Sequence, residues 1–597
     1  MTESTPVSAP VAPASSGNAS TSGKPDPVKP PHVDTGRDHF ESILFALVLA
    51  LLFRTFEAEA FVIPTGSMAP TLYGRHKETA CAECGHKILI GASDEVDRET
   101  QLLNQGQRIG IAVCPNCRAH NAVEDAPAFN GDRILVNKFP YELGNADRWD
   151  VFVFKWPEEP QTNYIKRLVG LPGETLRVRQ GNLYQWDQNT ETILRKDPEK
   201  QRDLQIPVYD DRFAPTGLLA NGWPERWASV VPVFEEQLPD QWKESEAWKR
   251  TEAREYQLEA SDRLSWLRYR HFTPNSFEWE SVSKAPLEPS LTPPRPKLIS
   301  DYCGYNTYTP PNDNLFEAAF WTPDLTVSGS LHIESIAAGA QLVLDLIDGG
   351  RGFQCRFDLA ANKVSLHRVT VDREQELATT SSPINGPGDY TFRYANVDDR
   401  LVLWINDRLV DFGAGATLDE PHALAAPLPT DHDLSPVGIA AQGMTATLSH
   451  LLIERDIYYR GDRPGLGGGR NFEQDNFRRE LGTLLEKPDD WSRLYQQQAD
   501  LDSREFSIPE DGYLAFGDNS PRSSDSRYWA PELQSVPRKL LIGKAFFIYW
   551  PHGVPFLNGG KGFSLVDHTS TTGESVKGYP KYSAPFYPQV GRMKRIR

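Results

Sequence analysis

The strongest constraint on the fold is a block of short β-type segments that extends from about Leu315 to Ile457. Segments such as AQLVLDLID, YTFRYANV and RLVLWINDRLVDF alternate apolar and polar residues, and Asn406-Asp407 fits a two-residue hairpin turn in the last of them. Such regularly spaced strands are typical of a β-sandwich, in which one face of each strand is buried. The sequence therefore predicts an inserted β-sandwich over residues 311–460.

Composition extends this conclusion to the whole chain. With 597 residues the chain is too long for one hydrophobic core, so several domains are expected. Its 47 prolines and 44 glycines indicate many turns and short strands, which predicts a mainly β fold. The sandwich block resembles concanavalin-like jelly-roll modules, and this resemblance implies that it could bind an unknown ligand.

An apolar run, Phe40–Phe56, lies near the N-terminus, and its uninterrupted core is Ile43–Phe53. With its flanks the run reaches the lower length limit for a membrane helix if Arg54 snorkels to the interface. We predict a transmembrane anchor over residues 39–57. A buried helix is one alternative, and a signal peptide with an A-x-A cleavage site at Ala58–Ala60 is another.

Three segments that lie far apart in the sequence carry candidate chemistry. FVIPTGSMAPTLYG (61–74) contains Ser67, NYIKRLVGLPGET (163–175) contains Lys166, and GDNSPRSSDSRYW (517–529) precedes a strand-like run. Taken singly these motifs are weak, because most such serines are turn residues and most lone lysines are solvated.

Together with GDRILVNKF (131–139), these segments resemble the boxes of bacterial type I signal peptidases, and they occur in the same order. The resemblance covers roughly residues 40–180 and 508–555. It implies an antiparallel β-sheet catalytic core behind an N-terminal transmembrane helix. It also implies a membrane-bound serine endopeptidase that removes N-terminal signal peptides from exported pre-proteins.

By this resemblance, Ser67 is the nucleophile and Lys166 is the general base of a Ser/Lys dyad. Burial would help, because desolvation disfavours the ammonium form of a lysine and leaves an amine that accepts a proton. The backbone N–H of Ser67 and the hydroxyl of Thr65 would form the oxyanion hole, although the family usually has serine at the position of Thr65.

The last segment supplies further residues by the same resemblance. Ser523 matches the serine that orients the lysine amine, and Asp518 matches another polar position. Asp525 and Arg527 match a structural ion pair, for which a loop salt bridge of little value is the alternative. The stretch SPR at 520–522 departs from the family's usual sequence, which leaves the conformation of this loop open.

The substrate would bind in extended form along strand edges, with small pockets that admit the side chains of an Ala-x-Ala site. The resemblance implies six pocket residues: Ile63, Pro64, Met68, Leu72, Tyr164 and Ile165. The alternative is that they are core residues, since alternate residues of a strand point to opposite faces.

Two CxxC pairs, Cys81/Cys84 and Cys114/Cys117, lie between the first two boxes. Their spacing is typical of a zinc ribbon, in which four thiolates hold a structural zinc. Two disulfides are the competing interpretation, because the outer face of a membrane is oxidising. We favour zinc, and we expect no cofactor for catalysis.

The domain order follows from these interpretations, with the clearest core strands at Arg133–Val136, Asp150–Lys155 and Tyr164–Val169. The predicted domains are a disordered tail (1–38), the anchor (39–57), the first part of the core (58–184) with its zinc-ribbon-like insert (75–125), a charged Trp-rich insert (185–310) with a helix near Glu244–Leu258, the sandwich (311–460), a linker and helix (461–505), and the second part of the core with a C-terminal tail (506–597).

We expect secretory pre-proteins and membrane lipid as partners, whereas the net charge of −18 argues against nucleic acid. The predicted location is the cytoplasmic membrane, with a single pass, the N-terminus inside and the catalytic domain on the periplasmic face. One rival is an anchored surface-binding protein with a carbohydrate-binding sandwich and a vestigial protease core, but the chain has both Ser67 and Lys166. Another is a self-cleaving repressor-type regulator, which would need a DNA-binding domain and no anchor.

Overall fold

The computed structural model describes most of the chain beyond its N-terminal residues. The described residues are 35–56, 58–97, 100–187, 190–234, 236, 238–239, 241–284, 294–306, 318–418, 427–461, 472–558 and 561–597. The predicted tail, apart from residues 35–38, and the predicted linker Gly465–Gly469 lie outside them.

The N-terminal helix, Thr35–Phe56, belongs to a unit of its own that ends at Thr55. It is rich in leucine and alanine, which favour helices, and Arg37 pairs with Glu41 one turn later at 2.8 Å. Among the helices that the structure describes, none is long and apolar enough to cross a membrane. The transmembrane anchor over residues 39–57 therefore stays a prediction.

The other helices of the described chain are short. The longest bury one apolar face, as Pro488–Gln498 does with Trp491 and Tyr495. Their bounds are Phe139–Leu143, Pro198–Asp203, Thr216–Ala220, Ser276–Lys284, Phe472–Thr483 and Pro488–Gln498.

A seven-stranded sheet made from both ends of the chain carries the candidate site. In spatial order its strands are Ala58–Val62, Arg133–Asn137, Leu541–Trp550, Val151–Lys155, Asn163–Gly170, Gly512–Phe516 and Val536–Pro537. All neighbours are antiparallel, and the late strand Leu541–Trp550 lies between two early ones. This interleaving brings segments that are far apart in sequence into one core, and the three predicted core strands are all found in it.

A four-stranded antiparallel sheet extends this core. Its strands in order are Thr190–Ile193, Asn182–Asp187, Thr175–Arg179 and Ser503–Ser507. Leu176, Val178 and Phe506 share one buried cluster with Val169 and Phe516 of the seven-stranded sheet. The two sheets therefore pack as one body.

The largest sheet has 14 strands and is built on two long ones, Leu325–Asp348 and Val437–Arg455, that pair along their length. Both halves of Leu325–Asp348 contribute to a single hydrophobic core, so the sheet curves back on itself. The hairpin turn at Asn406-Asp407 is present, with both residues at positive φ. The remaining strands are Ile206–Asp210, Trp227–Pro232, Trp242–Glu244, Trp248–Arg250, Tyr256–Leu258, Ser265–Tyr269, Arg351–Asp358, Lys363–Val369, Glu374–Ser381, Gly388–Val397, Arg400–Ile405 and Arg408–Val410.

The structure differs from the sequence prediction over residues 185–310. Strands between Ile206 and Tyr269 pair directly with Val437–Arg455, so this part of the segment completes the 14-stranded sheet instead of forming a separate insert. The helix predicted near Glu244–Leu258 is wrong, because short strands occupy that stretch. Its charged residues favour a helix, but burial of Trp248 and Tyr256 in the core of the sheet outweighs that propensity.

Several small sheets surround the core. The CxxC segment contains a three-stranded sheet (Lys87–Gly91, His76–Ala80, Ala128–Phe129) and a hairpin (Ile111–Val113, His120–Ala122). The C-terminal segment forms two further pairs, Gly553–Pro555 with Phe586–Pro588, and Phe563–Thr569 with Ser575–Ala584.

Candidate active site

Ser67 lies in a tight turn that follows the edge strand Ala58–Val62. The chain is extended at Thr65 and then makes a single 3-10 turn over Gly66–Met68, which leaves Ser67 only 9% exposed. Gly74 closes the loop against Thr65, and a Cβ atom there would lie 2.1 Å from the Thr65 carbonyl carbon. Backbone packing thus holds the serine in place.

Lys166 reaches this turn from the strand Asn163–Gly170. The strand is buried from Lys166 onwards, and Lys166 is opposite Phe152 of the neighbouring strand and 3% exposed. Its Nζ donates a hydrogen bond to Ser67 Oγ at 2.9 Å and another to the Ile165 carbonyl at 3.1 Å. The dry contact with Ser67 is within the range of direct proton transfer.

The loop that begins at Gly517 fixes the serine turn from the other side. The backbone N–H of Asn519 donates to the Ser67 carbonyl at 3.1 Å, and its side-chain amide donates to the Gly66 carbonyl at 2.9 Å. A Cβ atom on Gly517 would lie 2.4 Å from the same Ser67 carbonyl, so only glycine fits.

A segment from the middle of the chain also supports the turn. The side-chain amides of Asn306 and Asn519 exchange hydrogen bonds at 2.7 and 2.8 Å. The Tyr305 ring covers Gly66, where a Cβ atom would lie 2.3 Å from a ring carbon. Sequence reasoning missed Asn519, Tyr305 and Asn306, because no local pattern joins residues this far apart.

The predicted oxyanion donors, the Thr65 hydroxyl and the Ser67 N–H, both belong to the serine turn. Their role stays a prediction. Ser523 is fully buried, but among the described residues its hydroxyl makes no hydrogen bond. Its predicted bond to the Lys166 amine is therefore not observed, and its role stays a prediction as well.

Two fully buried ion pairs frame the loop. Asp525 accepts bonds from Arg527 Nε and Nη2 at 2.9 and 2.7 Å and from the backbone N–H of Gly517 at 2.8 Å. Asp518 accepts two bonds of 2.7 Å from Arg167 and one from the Thr71 hydroxyl. The Asp525–Arg527 pair is fully buried and therefore differs from the exposed loop salt bridge of the alternative interpretation.

Arg167 is a further residue that sequence reasoning missed. Burial acts to lower the pKa of Arg167, and Asp518 more than offsets this, so that the pKa is raised and the guanidinium stays charged. A signal existed in the sequence, because Arg167 follows Lys166 in a buried strand and must point to the opposite face. A charge at such a position needs a partner.

The six predicted pocket residues divide into two groups. Ile63, Met68 and Leu72 are buried in one hydrophobic cluster, against which Ile165 packs, whereas Tyr164 and Ile165 are partly exposed and Pro64 is exposed. Their role as pocket residues stays a prediction. Tyr164 lies in an aromatic group with Trp156 and Trp529. Of the accessible three, Tyr164 lies beside the dyad, with its ring centroid 5.6 Å from Lys166 Nζ.

Two strand edges run beside this contact. Ala58–Val62 pairs on one side only within the described chain, and the strand Asn163–Gly170 pairs with Gly512–Phe516 only from Arg167 onwards. Among the described residues, 163–165 therefore pair with no strand on the side of that edge. An extended peptide could pair there within reach of Ser67.

The four cysteines of the CxxC pairs form one cluster. Their sulfurs lie within 4.8 Å of one another, with Cys81–Cys117 at 3.7 Å and Cys84–Cys114 at 3.6 Å. A zinc ion bound to four thiolates at about 2.3 Å would place the sulfurs about 3.8 Å apart. The geometry fits zinc, and all four thiols are free of disulfides.

Comparison with known proteins gives matches to both ends of the core. The sequence model of the family described as "Signal peptidase, peptidase S26" matches residues 116–239 and 468–550, which include Lys166 and the loop at 517–529 but not Ser67. "Signal peptidase I" of Pseudomonas aeruginosa is 31% identical over 181 residues, or 27% of this chain and 43% of that protein. "Signal peptidase I P" of Bacillus subtilis subsp. natto is 26% identical over 179 residues, or 30% of this chain and 65% of that protein.

The chain thus spans less than two thirds of the length of these relatives. Among solved structures, the carbohydrate binding module CBM66 from Bacillus subtilis covers 38% of this chain at 13% identity, with a TM-score of 0.21. A TM-score this low does not establish a shared fold, so the concanavalin-like sandwich stays a prediction.

Proposed function

We propose that this chain is a membrane-bound serine endopeptidase that removes N-terminal signal peptides from exported pre-proteins. The observation that carries the proposal is the buried hydrogen bond of 2.9 Å between Lys166 Nζ and Ser67 Oγ. The matches to signal peptidases on both sides of the long middle segment support the same activity. The rival function of a surface-binding protein with a vestigial core is less supported, because the two groups are in reacting distance.

In this mechanism the neutral amine of Lys166 accepts the proton of the Ser67 hydroxyl while Oγ attacks the scissile carbonyl carbon. The backbone N–H of Ser67 and the Thr65 hydroxyl donate to the oxyanion that forms. The ammonium of Lys166 then gives its proton to the leaving amine, and an acyl-enzyme remains on Ser67. A water molecule, deprotonated by the same amine, releases the signal peptide and restores the serine.

The substrate side of the proposal rests on the two strand edges. A signal peptide would lie extended between residues 58–62 and 163–165, with Pro64, Tyr164 and Ile165 in contact with its side chains. Small pockets at alternate positions along this peptide would admit residues such as those of an Ala-x-Ala site.

Membrane attachment through residues 39–57 is part of the proposal. Phe40, Ile43 and Phe45 of this helix expose more than 60% of their surface, an arrangement that suits lipid contact. The N-terminus would lie in the cytoplasm and the catalytic body on the outer face of the membrane.

The cysteine cluster is proposed to hold a structural zinc through Cys81, Cys84, Cys114 and Cys117. When bound, the ion would supply no catalytic chemistry, since four thiolates close its coordination. The cluster would tie the two CxxC loops together beside the core. Metal analysis of purified protein tests this, and a Cys81→Ser/Cys114→Ser variant is expected to hold about one equivalent of zinc less than wild type.

The decisive experiment compares Ser67→Ala and Lys166→Met with the matched control Lys155→Met, an exposed lysine of the neighbouring strand. Cleavage of a pre-protein with an Ala-x-Ala site is measured in detergent. We expect both site variants to lose at least about 10⁴-fold in rate while they stay folded, and the control to keep full activity. Normal turnover by Lys166→Met would remove this residue from the mechanism.

A further inference from the structure

Two histidines and one glutamate from opposite ends of the chain meet behind the serine turn. His76 and Glu78 lie on the strand His76–Ala80, and His552 follows the strand Leu541–Trp550. His76 is 0% and His552 is 3% exposed. None of these residues takes part in the proposed peptidase mechanism.

The three side chains point at one another. Glu78 Oε1 lies 3.5 Å from His76 Nε2 and 3.4 Å from His552 Nε2, and one ligand atom from each residue lies within 4.8 Å of the others. These separations are too long for direct N–H···O hydrogen bonds, which span about 2.7–3.2 Å. In the described structure, His76 Nε2, both ring nitrogens of His552 and Glu78 Oε1 have no hydrogen-bond partner.

The hydrogen bond of the other ring nitrogen, His76 Nδ1, fixes the tautomer of this ring. His76 Nδ1 lies 2.7 Å from the Gly74 carbonyl, which can only accept, so Nδ1 must carry the hydrogen. In the neutral ring, Nε2 then presents a lone pair towards the carboxylate oxygen. Buried acceptors that face one another are unfavourable unless a cation lies between them.

A metal ion fits the spacing. Zinc bound to imidazole nitrogen and carboxylate oxygen at about 2.0–2.1 Å in a tetrahedron separates neighbouring ligand atoms by about 3.3–3.4 Å. The two separations in the structure, 3.4 and 3.5 Å, are close to this value. The groups around the cluster also suit a metal, because Gly74 fixes the His76 ring and Lys87 Nζ holds Glu78 Oε2 at 2.8 Å.

We propose that His76, Glu78 and His552 bind a divalent transition-metal ion of the zinc class, at a site separate from the cysteine cluster. Two imidazoles and one carboxylate leave a fourth position for water or an exchangeable ligand. An open cavity of about 290 Å³, lined by His552, Phe129 and Arg133 among others, adjoins the cluster and offers a path for the ion.

The ion would link the strand His76–Ala80 to His552, which follows the strand Leu541–Trp550, next to the serine turn. His76 bonds to the Gly74 carbonyl, and Gly74 packs directly against Thr65 of the serine turn. The metal would therefore brace the turn from behind without touching substrate. This proposal does not depend on the peptidase activity, and it is tested by metal binding alone.

The test measures zinc content in the full-length protein after equilibration with zinc and removal of the unbound ion. Wild type is expected to hold about two equivalents, and His552→Gln and Glu78→Gln about one. The matched control is His568→Gln, which alters another buried histidine of the C-terminal segment outside the cluster. It should keep about two equivalents, and circular dichroism checks that each variant is folded.

Cobalt keeps the proposal testable if a variant misfolds. Cobalt bound to wild type should show thiolate charge-transfer absorption from the cysteine cluster, whereas the Cys81→Ser/Cys114→Ser variant should bind cobalt with weak visible bands alone. Equal zinc content in wild type and in the folded His552→Gln and Glu78→Gln variants would overturn the proposal.

Discussion

Two buried lysines in different regions of this chain have opposite surroundings. Lys166 Nζ, in the candidate active site, donates to the neutral hydroxyl of Ser67 and to a backbone carbonyl. Lys196 Nζ, where the four-stranded sheet meets the 14-stranded sheet, donates to both oxygens of Asp398 at 3.0 and 2.8 Å and to Asp456 at 2.7 Å.

The difference separates a chemical role from a structural one. Burial alone would lower the pKa of Lys196, but Asp398 and Asp456 raise it above its ordinary value and keep the ammonium charged. Such a lysine cannot accept a proton at neutral pH. Burial by itself therefore does not mark a catalytic lysine, and the partner of its amine decides the role.

Lys196→Met tests this difference between a structural and a chemical lysine most directly. This change leaves Asp398 and Asp456 buried without their cation, so we expect unfolding to become easier by about 3–5 kcal/mol, read from urea or thermal denaturation. Peptidase activity below the melting temperature should be retained. Lys166→Met should show the reverse pattern, and similar losses of stability and activity in both variants would contradict the division of roles.

Substitutions of Thr65 test the proposed chemistry of the active site. Thr65→Val keeps the shape and removes the hydroxyl that would donate to the oxyanion, so kcat/KM should fall by about 10²–10³-fold. Thr65→Ser restores the hydroxyl and serves as the control, with activity near that of wild type. An equal loss in both variants would mean that the methyl group matters and the hydroxyl does not.

The stability that Lys196 and its neighbours Asp324, Asp398 and Asp456 (the Lys196 cluster) contribute should also depend on pH. Burial raises the pKa of Asp456 to about 6, and burial together with Asp398 and Asp456 raises the pKa of Asp324 well above its ordinary value. Because the folded chain holds these protons more tightly than the unfolded chain, this stabilisation is complete below about pH 4 and is lost as the pH rises through 6. Between pH 5 and 8 we expect Asp456 alone to account for a loss of about 1–2 kcal/mol.

Asp324→Asn isolates that effect, since it removes one of the three carboxylates. Urea denaturation at several pH values should show a flatter dependence for the variant than for wild type. Identical slopes would mean that the cluster does not hold an extra proton in the folded chain.

Sequence reasoning identified Ser67 and Lys166 but not the residues that hold them in place. Ser67 and Lys166 could be found because each lies in a recognisable motif, and the neighbouring strands were visible as alternating apolar runs. The partners Arg167 and Asp518 are 351 residues apart, and Asn306 and Asn519 are 213 apart, so no periodicity connects them. For Ile63, Met68 and Leu72 the sequence could not distinguish a pocket wall from the core, because both have the same apolar pattern.

The smallest expected effect concerns the contact between the middle segment of the chain and the serine turn. The segment that holds Tyr305 and Asn306 precedes the strand Leu325–Asp348, yet Asn306 bonds to Asn519 at the serine turn. Asn306→Ala removes these amide bonds and lets the turn relax, so we expect kcat to fall by about 5–30-fold, with a stability loss near 1–2 kcal/mol. Asn406→Ala, which alters an exposed hairpin turn, provides a comparison with no expected effect on kcat. Activity of Asn306→Ala equal to wild type would mean that the middle segment only covers the serine turn, and that Gly517 and Asn519 suffice to position Ser67.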